Sequence, residues 1–227
     1  MPSQAELEVL ALSLKVAFWG LAGSLPFAVA IAFVLARKSF PGKTLFDAVV
    51  HLPLVLPPVV VGYALLLLFG TQGPLGRLLE PLGIVFAFHW TGAALAAAIM
   101  GFPLLVRATR LAIEAIDPRL EVAARTLGAR RARVFFTVTL PLALPGVVTG
   151  SLLTFARALG EFGATITFVS NIPGETRTLP LAIYAATQVP GREGVALRLA
   201  FLSVAVSLAA LVVSEWLVRR SARRRHA

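Results

Sequence analysis

The sequence predicts an all-α polytopic membrane protein with five membrane spans. Three observations carry that expectation. The 227-residue chain is 58% hydrophobic and only 14% charged, whereas ordinary soluble chains carry about 25% charged residues. Its apolar residues fall in long blocks, as bilayer-crossing helices require. Its arginines and lysines gather in the stretches between those blocks, mostly on alternate sides. Spans and connections use nearly the whole length, so residues 1–227 read as one transmembrane domain with no separate soluble catalytic domain. Cysteine is absent, which excludes disulfides and thiolate metal sites. A net charge of +10 would suit nucleic acid. Arginines beside apolar segments are better explained by topology, and no nucleic-acid partner is expected.

The first span is placed at 10–36. It is long and lacks a basic leader, so it reads as an uncleaved span and not as a signal peptide. Lys15, near its outer end, is expected to reach the interface along its own stem. A basic loop with Arg37, Lys38 and Lys43 follows. Gly42-Lys43-Thr44 looks like the end of a phosphate-binding loop, but Arg37 stands where the first glycine is required, so nucleotide binding is rejected.

The second span, 48–69, contains Pro53, Pro57, Pro58 and Gly62. The missing backbone donors should kink it or make its start irregular, which suits either a pore-lining helix or a packing kink. The stretch 70–90 ends at His89, with no metal-ligand spacing to another histidine, and Trp90, an aromatic-belt candidate. The third span, 91–106, carries GAALAAAIMG, small enough for close helix packing, and Pro103 should kink its end.

The fourth span, 140–158, is more polar. Thr149, Ser151 and Thr154 are candidate substrate-path hydroxyls, with local bonding to their own helix as the competing reading. Arg157 is a candidate anion attractor; pairing with Glu161, four residues on, is the alternative. The apolar pieces within 160–194 are too short to cross, so they read as a re-entrant or loop-helix segment. A full crossing at 162–184 would make six spans. The last span, 196–218, ends in Arg219, Arg220, Arg223, Arg224 and Arg225.

Five spans put 37–47, 107–139 and 218–227 on one side, with 15 Lys and Arg, against 3 on the other. The positive-inside rule then places the N-terminus outside and the C-terminus in the cytosol. The loop 117–139 is therefore cytosolic. Asp117 is a good N-cap and Pro118 suits the first helical position. Leu120, Ala123, Ala124 and Leu127 share one face of the helix that follows, and Gly128 interrupts it. A second, basic turn with Arg130, Arg131 and Arg133 leads to Leu140-Pro141. This reads as a docking element, or as a loop whose arginines only fix topology.

The loop resembles the EAA loop of ABC importer permeases: E-A-A, three residues, Gly, nine residues, I-x-L-P. Ala123-Ala124, Gly128 and Val138-x-Leu140-Pro141 keep that spacing; Val122 stands where the glutamate belongs, and Glu121 lies one place early. The likeness extends over the chain. RKSFPGKTLFDAVVHLPLVLPPVVVGYALLLLFG at 37–70 and FARALGEFGATITFVSNIPGETRTLPLAIY at 155–184 are similar to molybdate ABC transporter permeases. Sulfate/thiosulfate permeases share the part from Arg157 to Gly163.

The resemblance implies a type I ABC importer permease fold and alternating-access import of molybdate or tungstate, with sulfate or thiosulfate as the alternative. It implies a homodimer, two cytosolic ATP-binding subunits that use ATP and Mg, and an extracytoplasmic molybdate-binding protein. The chain itself would be non-catalytic and bind no cofactor. Glu121, Ala123, Ala124, Gly128, Leu140 and Pro141 would couple it to the ATPase. A membrane enzyme is disfavoured because His51, His89 and His226 are scattered and no paired intramembrane acids occur. A stand-alone carrier is disfavoured because no internal repeat is evident.

Overall fold

The computed structural model describes residues 3–223, and the regular structure there is entirely helical. Its α-helices are α1 (Gln4–Arg37), α2 (Lys43–Val55), α3 (Pro58–Phe69), α4 (Pro74–Leu79), α5 (Trp90–Glu114), α6 (Pro118–Thr126), α7 (Arg131–Val134), α8 (Leu140–Leu159), α9 (Gly163–Val169), α10 (Leu179–Thr187) and α11 (Glu193–Arg223).

 For α8 the apolar helix Leu140–Leu159 continues without a break from the short helix α7 through one π-helical turn, Phe135–Thr139. Four helices among the described residues are long and apolar enough to cross a membrane, and a bent pair, α2 with α3, makes five if counted as one span. Arg224, Arg225 and His226 lie outside the described residues.

The centre of the bundle is α5, packed against α1 on one side and α8 on the other. Its small residues are the reason. Ala93, Ala96, Ala97 and Gly101 are buried and let neighbouring backbones approach, which is how helices associate where lipid removes the hydrophobic drive. The helix of the third span does not stop at residue 106 but runs on to Glu114, with Pro103 buried inside it. A proline removes a single i→i−4 bond, and packed neighbours hold the rest of the helix.

Helix α1 starts six residues before the predicted span. Ser3 and Glu6 form a capping box, in which the Ser3 amide donates to Glu6 Oε2 at 2.7 Å and the Glu6 amide to Ser3 Oγ at 3.3 Å. Lys15 therefore sits about 16 Å along the helix from its start, and not near its end. Its Nζ lies 3.6 Å from the centroid of the Trp90 ring, a cation–π contact.

The second predicted span is two helices bent by 111° at Leu56-Pro57. The cause is the proline pair. Each proline pushes the residue before it out of the helical region, and Leu56 (ψ 141°) and Pro57 (ψ 133°) are both extended. Pro58 then restarts the chain as the first residue of α3. Helix α3 seats on α9, where a Cβ at Gly62 would stand 2.5 Å from the Ala164 carbonyl oxygen. Gly62→Val is expected to separate the two helices and cost about 1–3 kcal/mol, read as a lower unfolding temperature of the purified protein.

Segment 160–194 holds two short helices, α9 and α10, and neither is long enough to cross. Helix α9 is held inside the protein: Phe168 and Val169 are fully buried. Helix α10 is pinned to α1 because the Leu179 amide donates to Ser13 Oγ at 2.7 Å.

Candidate coupling loop and substrate path

Helix α6 forms where Asp117-Pro118 predicts it. The Asp117 side chain accepts from the Arg119 amide at 2.9 Å, and Pro118 occupies the first turn, where its missing donor costs nothing. The far end is a Schellman motif. The Gly128 amide donates to the Arg125 carbonyl at 3.0 Å and the Ala129 amide to the Ala124 carbonyl at 3.2 Å. That closure needs a left-handed residue, and Gly128 has φ +86°. The spacing from Ala124 to Gly128 is thus the spacing from the third-last helical residue to the left-handed position after the cap.

The face of α6 foreseen from the sequence is turned outward. Leu120 is 49% exposed and Leu127 is 89% exposed. Ala123 is exposed as well, and Ala124 is half-buried.

Glu121 points inward, and the glutamate one place early has a position of its own. Its Oε1 accepts from Arg37 Nε at 3.0 Å and from Thr139 Oγ1 at 3.0 Å. Arg37 also donates from Nη2 to the Ile116 carbonyl at 3.1 Å. One carboxylate therefore joins the end of α1, helix α6 and the segment entering α8, while Val122 is 57% exposed.

That segment is the π-helical turn, closed by the Leu140 amide donating to the Phe135 carbonyl. Pro141 explains it: a proline ring clashes with the carbonyl four residues back, and a wider turn relieves the clash. Leu140 and Pro141 thus stand at the junction between the π-helical turn and α8.

The four candidate path residues do not converge. Thr149 is exposed on α8. Ser151 Oγ donates to the Val147 carbonyl at 2.8 Å, the local bond weighed for it. Thr154 is fully buried and donates to the Gly101 carbonyl at 3.0 Å, so it fastens α8 to α5 and does not bond within its own helix. Arg157 pairs with Glu161 at 2.7 Å, and Glu161 also accepts from the Ala164 amide at 2.8 Å. Glu161 thereby caps α9 and holds Arg157 at the same time.

Several polar contacts escaped sequence reasoning. His89 has a partner after all, because Glu175 Oε1 lies 3.0 Å from its Nδ1 and accepts from the Trp90 amide at 3.1 Å, capping α5. Arg110 bridges Asp47 and Glu114, both at 2.8 Å. Arg198 pairs with Glu6 at 3.1 Å. Only Arg110 and Glu114, four residues apart on one helix, had a signal in the sequence. Among the described residues no three His, Asp or Glu side chains gather in a way that would hold a metal ion.

Comparison with known proteins identifies the family. The chain is 60% identical over 220 residues to the molybdenum transport system permease protein ModB of Escherichia coli (strain K12), covering 96% of each chain. It is 41% identical over 197 residues to the sulfate transport system permease protein CysW of Synechococcus elongatus, covering 87% of this chain and 68% of that one. Among solved structures, a bacterial ABC transporter involved in the import of the acidic polysaccharide alginate superposes with a TM-score of 0.76 at 17% identity, over 96% of this chain and 80% of that one. Residues 24–223 match the family model described as binding-protein-dependent transport system inner membrane component. The chain belongs to that family.

Proposed function

We propose that the chain is the translocating subunit of an ATP-driven importer that carries molybdate, or the closely similar tungstate, across the inner membrane. The observation that carries this reading is the outward apolar face of α6, capped at Gly128, in a chain so similar throughout to a molybdenum permease. Sulfate is the weaker alternative, in line with the lower identity to the sulfate permease. Two copies of the chain would form the passage. Two cytosolic ATP-binding subunits would hydrolyse ATP with Mg, and an extracytoplasmic binding protein would deliver the oxyanion. The charge distribution supports an outer N-terminus and a cytosolic 117–139 loop.

The chain's own part is mechanical. The docking face passes ATPase movement into α6; Glu121 passes it to α1 and to the start of α8. Thr149, exposed on α8, is the hydroxyl best placed to meet the anion, since Ser151 and Thr154 are occupied by helix bonds.

The test is the ATPase activity of the reconstituted complex with its binding protein loaded in turn with molybdate, tungstate and sulfate. Stimulation by the first two alone is the expected result; stimulation by sulfate would move the chain to the alternative substrate. Gly128→Pro, or a bulky residue at Ala124, is expected to abolish coupled uptake while the protein still inserts. Proline cannot adopt φ +86°, and bulk at Ala124 would crowd the docking face. Uptake at the wild-type rate in both variants would overturn the assignment of the docking helix.

A further inference from the structure

Helix α6 has a second face, turned away from the docking face. Pro118, Glu121, Val122 and Arg125 line a cavity of about 460 Å3 between α6, the end of α1 and the segment entering α8. None of Leu120, Ala123, Ala124 and Leu127 lines it, so a partner seated on the docking face leaves this cavity open. Four cations border it: Arg37, Lys38, Arg125 and Arg131. Its one carboxylate, Glu121, is already paired with Arg37 at 3.0 Å. Among the described residues, Lys38, Arg125 and Arg131 have no carboxylate partner, so three positive charges are left over.

The wall of the cavity is aromatic. Phe33 and Phe135 meet edge to face at 5.0 Å between centroids, and Phe135 meets Phe136 in the same way at 5.0 Å. Phe136 is 64% exposed. The site lies where the apolar run of α1 ends and that of α8 begins, the level at which a bilayer gives way to water. Cations above an aromatic wall at that depth match a phosphodiester with its glycerol and upper acyl carbons. A soluble phosphate would leave the aromatic wall unused, and a protein seated on the docking face would leave the cavity open. We infer that this cavity binds the headgroup of an anionic phospholipid.

The test is lipid retention by the full-length protein, delipidated in neutral detergent, titrated with phosphatidylglycerol or phosphatidylcholine and weighed by native mass spectrometry. Wild type is expected to retain phosphatidylglycerol preferentially. The double variant R125Q/R131Q should weaken that retention roughly 25-fold, about fivefold for each basic side chain removed, with phosphatidylcholine unchanged. R125K/R131K keeps both charges and should retain most of the binding, which separates lost charge from lost fold. Equal retention of the two lipids, or full phosphatidylglycerol binding by R125Q/R131Q, would overturn the inference. So would complete displacement by inorganic phosphate, which would mark a site for a soluble anion, or loss of the lipid when the ATPase assembles, which would mark a protein contact. The readout uses neither uptake nor ATP hydrolysis, so this inference and the proposed transport function fail separately.

Discussion

Replacing Glu121 with lysine is expected to reduce coupled uptake at least about tenfold while leaving ATP hydrolysis by the assembled complex largely intact. The carboxylate accepts two hydrogen bonds, from Arg37 and Thr139, on elements that lie far apart in the chain. The side chains of Arg37 and Glu121 are 14% and 19% exposed, so solvent screens the pair only weakly. A hydrogen bond to a charged group contributes about 1.5–3 kcal/mol, and about 1.4 kcal/mol is a tenfold change in a population. Losing that tie and placing two cations together frees the docking helix to move without α1 and α8. The double exchange Arg37→Glu with Glu121→Arg restores the opposite charges and should recover part of the uptake. The measurement is the number of oxyanions imported per ATP hydrolysed in proteoliposomes. If the single and double variants import equally well, the tie does not transmit the movement.

Glu161→Ala is expected to be the most damaging single change to stability. Its side chain is 2% exposed, pairs with Arg157 and caps α9 through the Ala164 amide. Removing it leaves a cation and a backbone donor without their acceptor. Breaking a buried pair costs about 3–5 kcal/mol, and the partial exposure of Arg157 places this case at the lower end. For a chain of this length about 3 kcal/mol corresponds to roughly 6–12 °C in unfolding temperature. Glu161→Gln should cost less, because an amide oxygen still accepts from Ala164. Combining Glu161→Leu with Arg157→Met should recover part of the loss, since an apolar pair has no charge to strand. Thermal unfolding of the purified variants in detergent ranks all three, and an alanine variant as stable as wild type would remove Glu161 from the fold's support.

The apolar blocks, the small residues of the central helix and helix α6 with its glycine were legible because each depends on neighbours within a few residues. Asp117, Pro118 and Gly128 announce their conformations locally. The capping box was legible too, since Ser3 and Glu6 have the required spacing, yet hydropathy alone started the helix at residue 10. Pro57-Pro58 announced a break, but not its angle, which depends on where α3 finds Gly62 and Ala164 to pack. What could not be read were bonds between distant positions. Arg37 and Glu121 are 84 residues apart and Glu6 and Arg198 are 192 apart. Thr154 looked like any helix hydroxyl until α5 placed the Gly101 carbonyl beside it. For the candidate site, the outward face was therefore readable and the inward attachment was not.

The proline break between α2 and α3 has a mechanical consequence. In an intact helix, bending means stretching a ladder of hydrogen bonds, and a push at one end arrives at the other. At Leu56 and Pro57 that ladder is already open, because neither Pro57 nor Pro58 has an amide to donate. The two rods can swivel about those two residues without rupturing anything. Helix α2 leans on α5, and α3 is seated on α9. The joint uncouples the two halves, so a tilt of α2 need not be carried along a continuous rod into α3, whose position is set by its seat on α9.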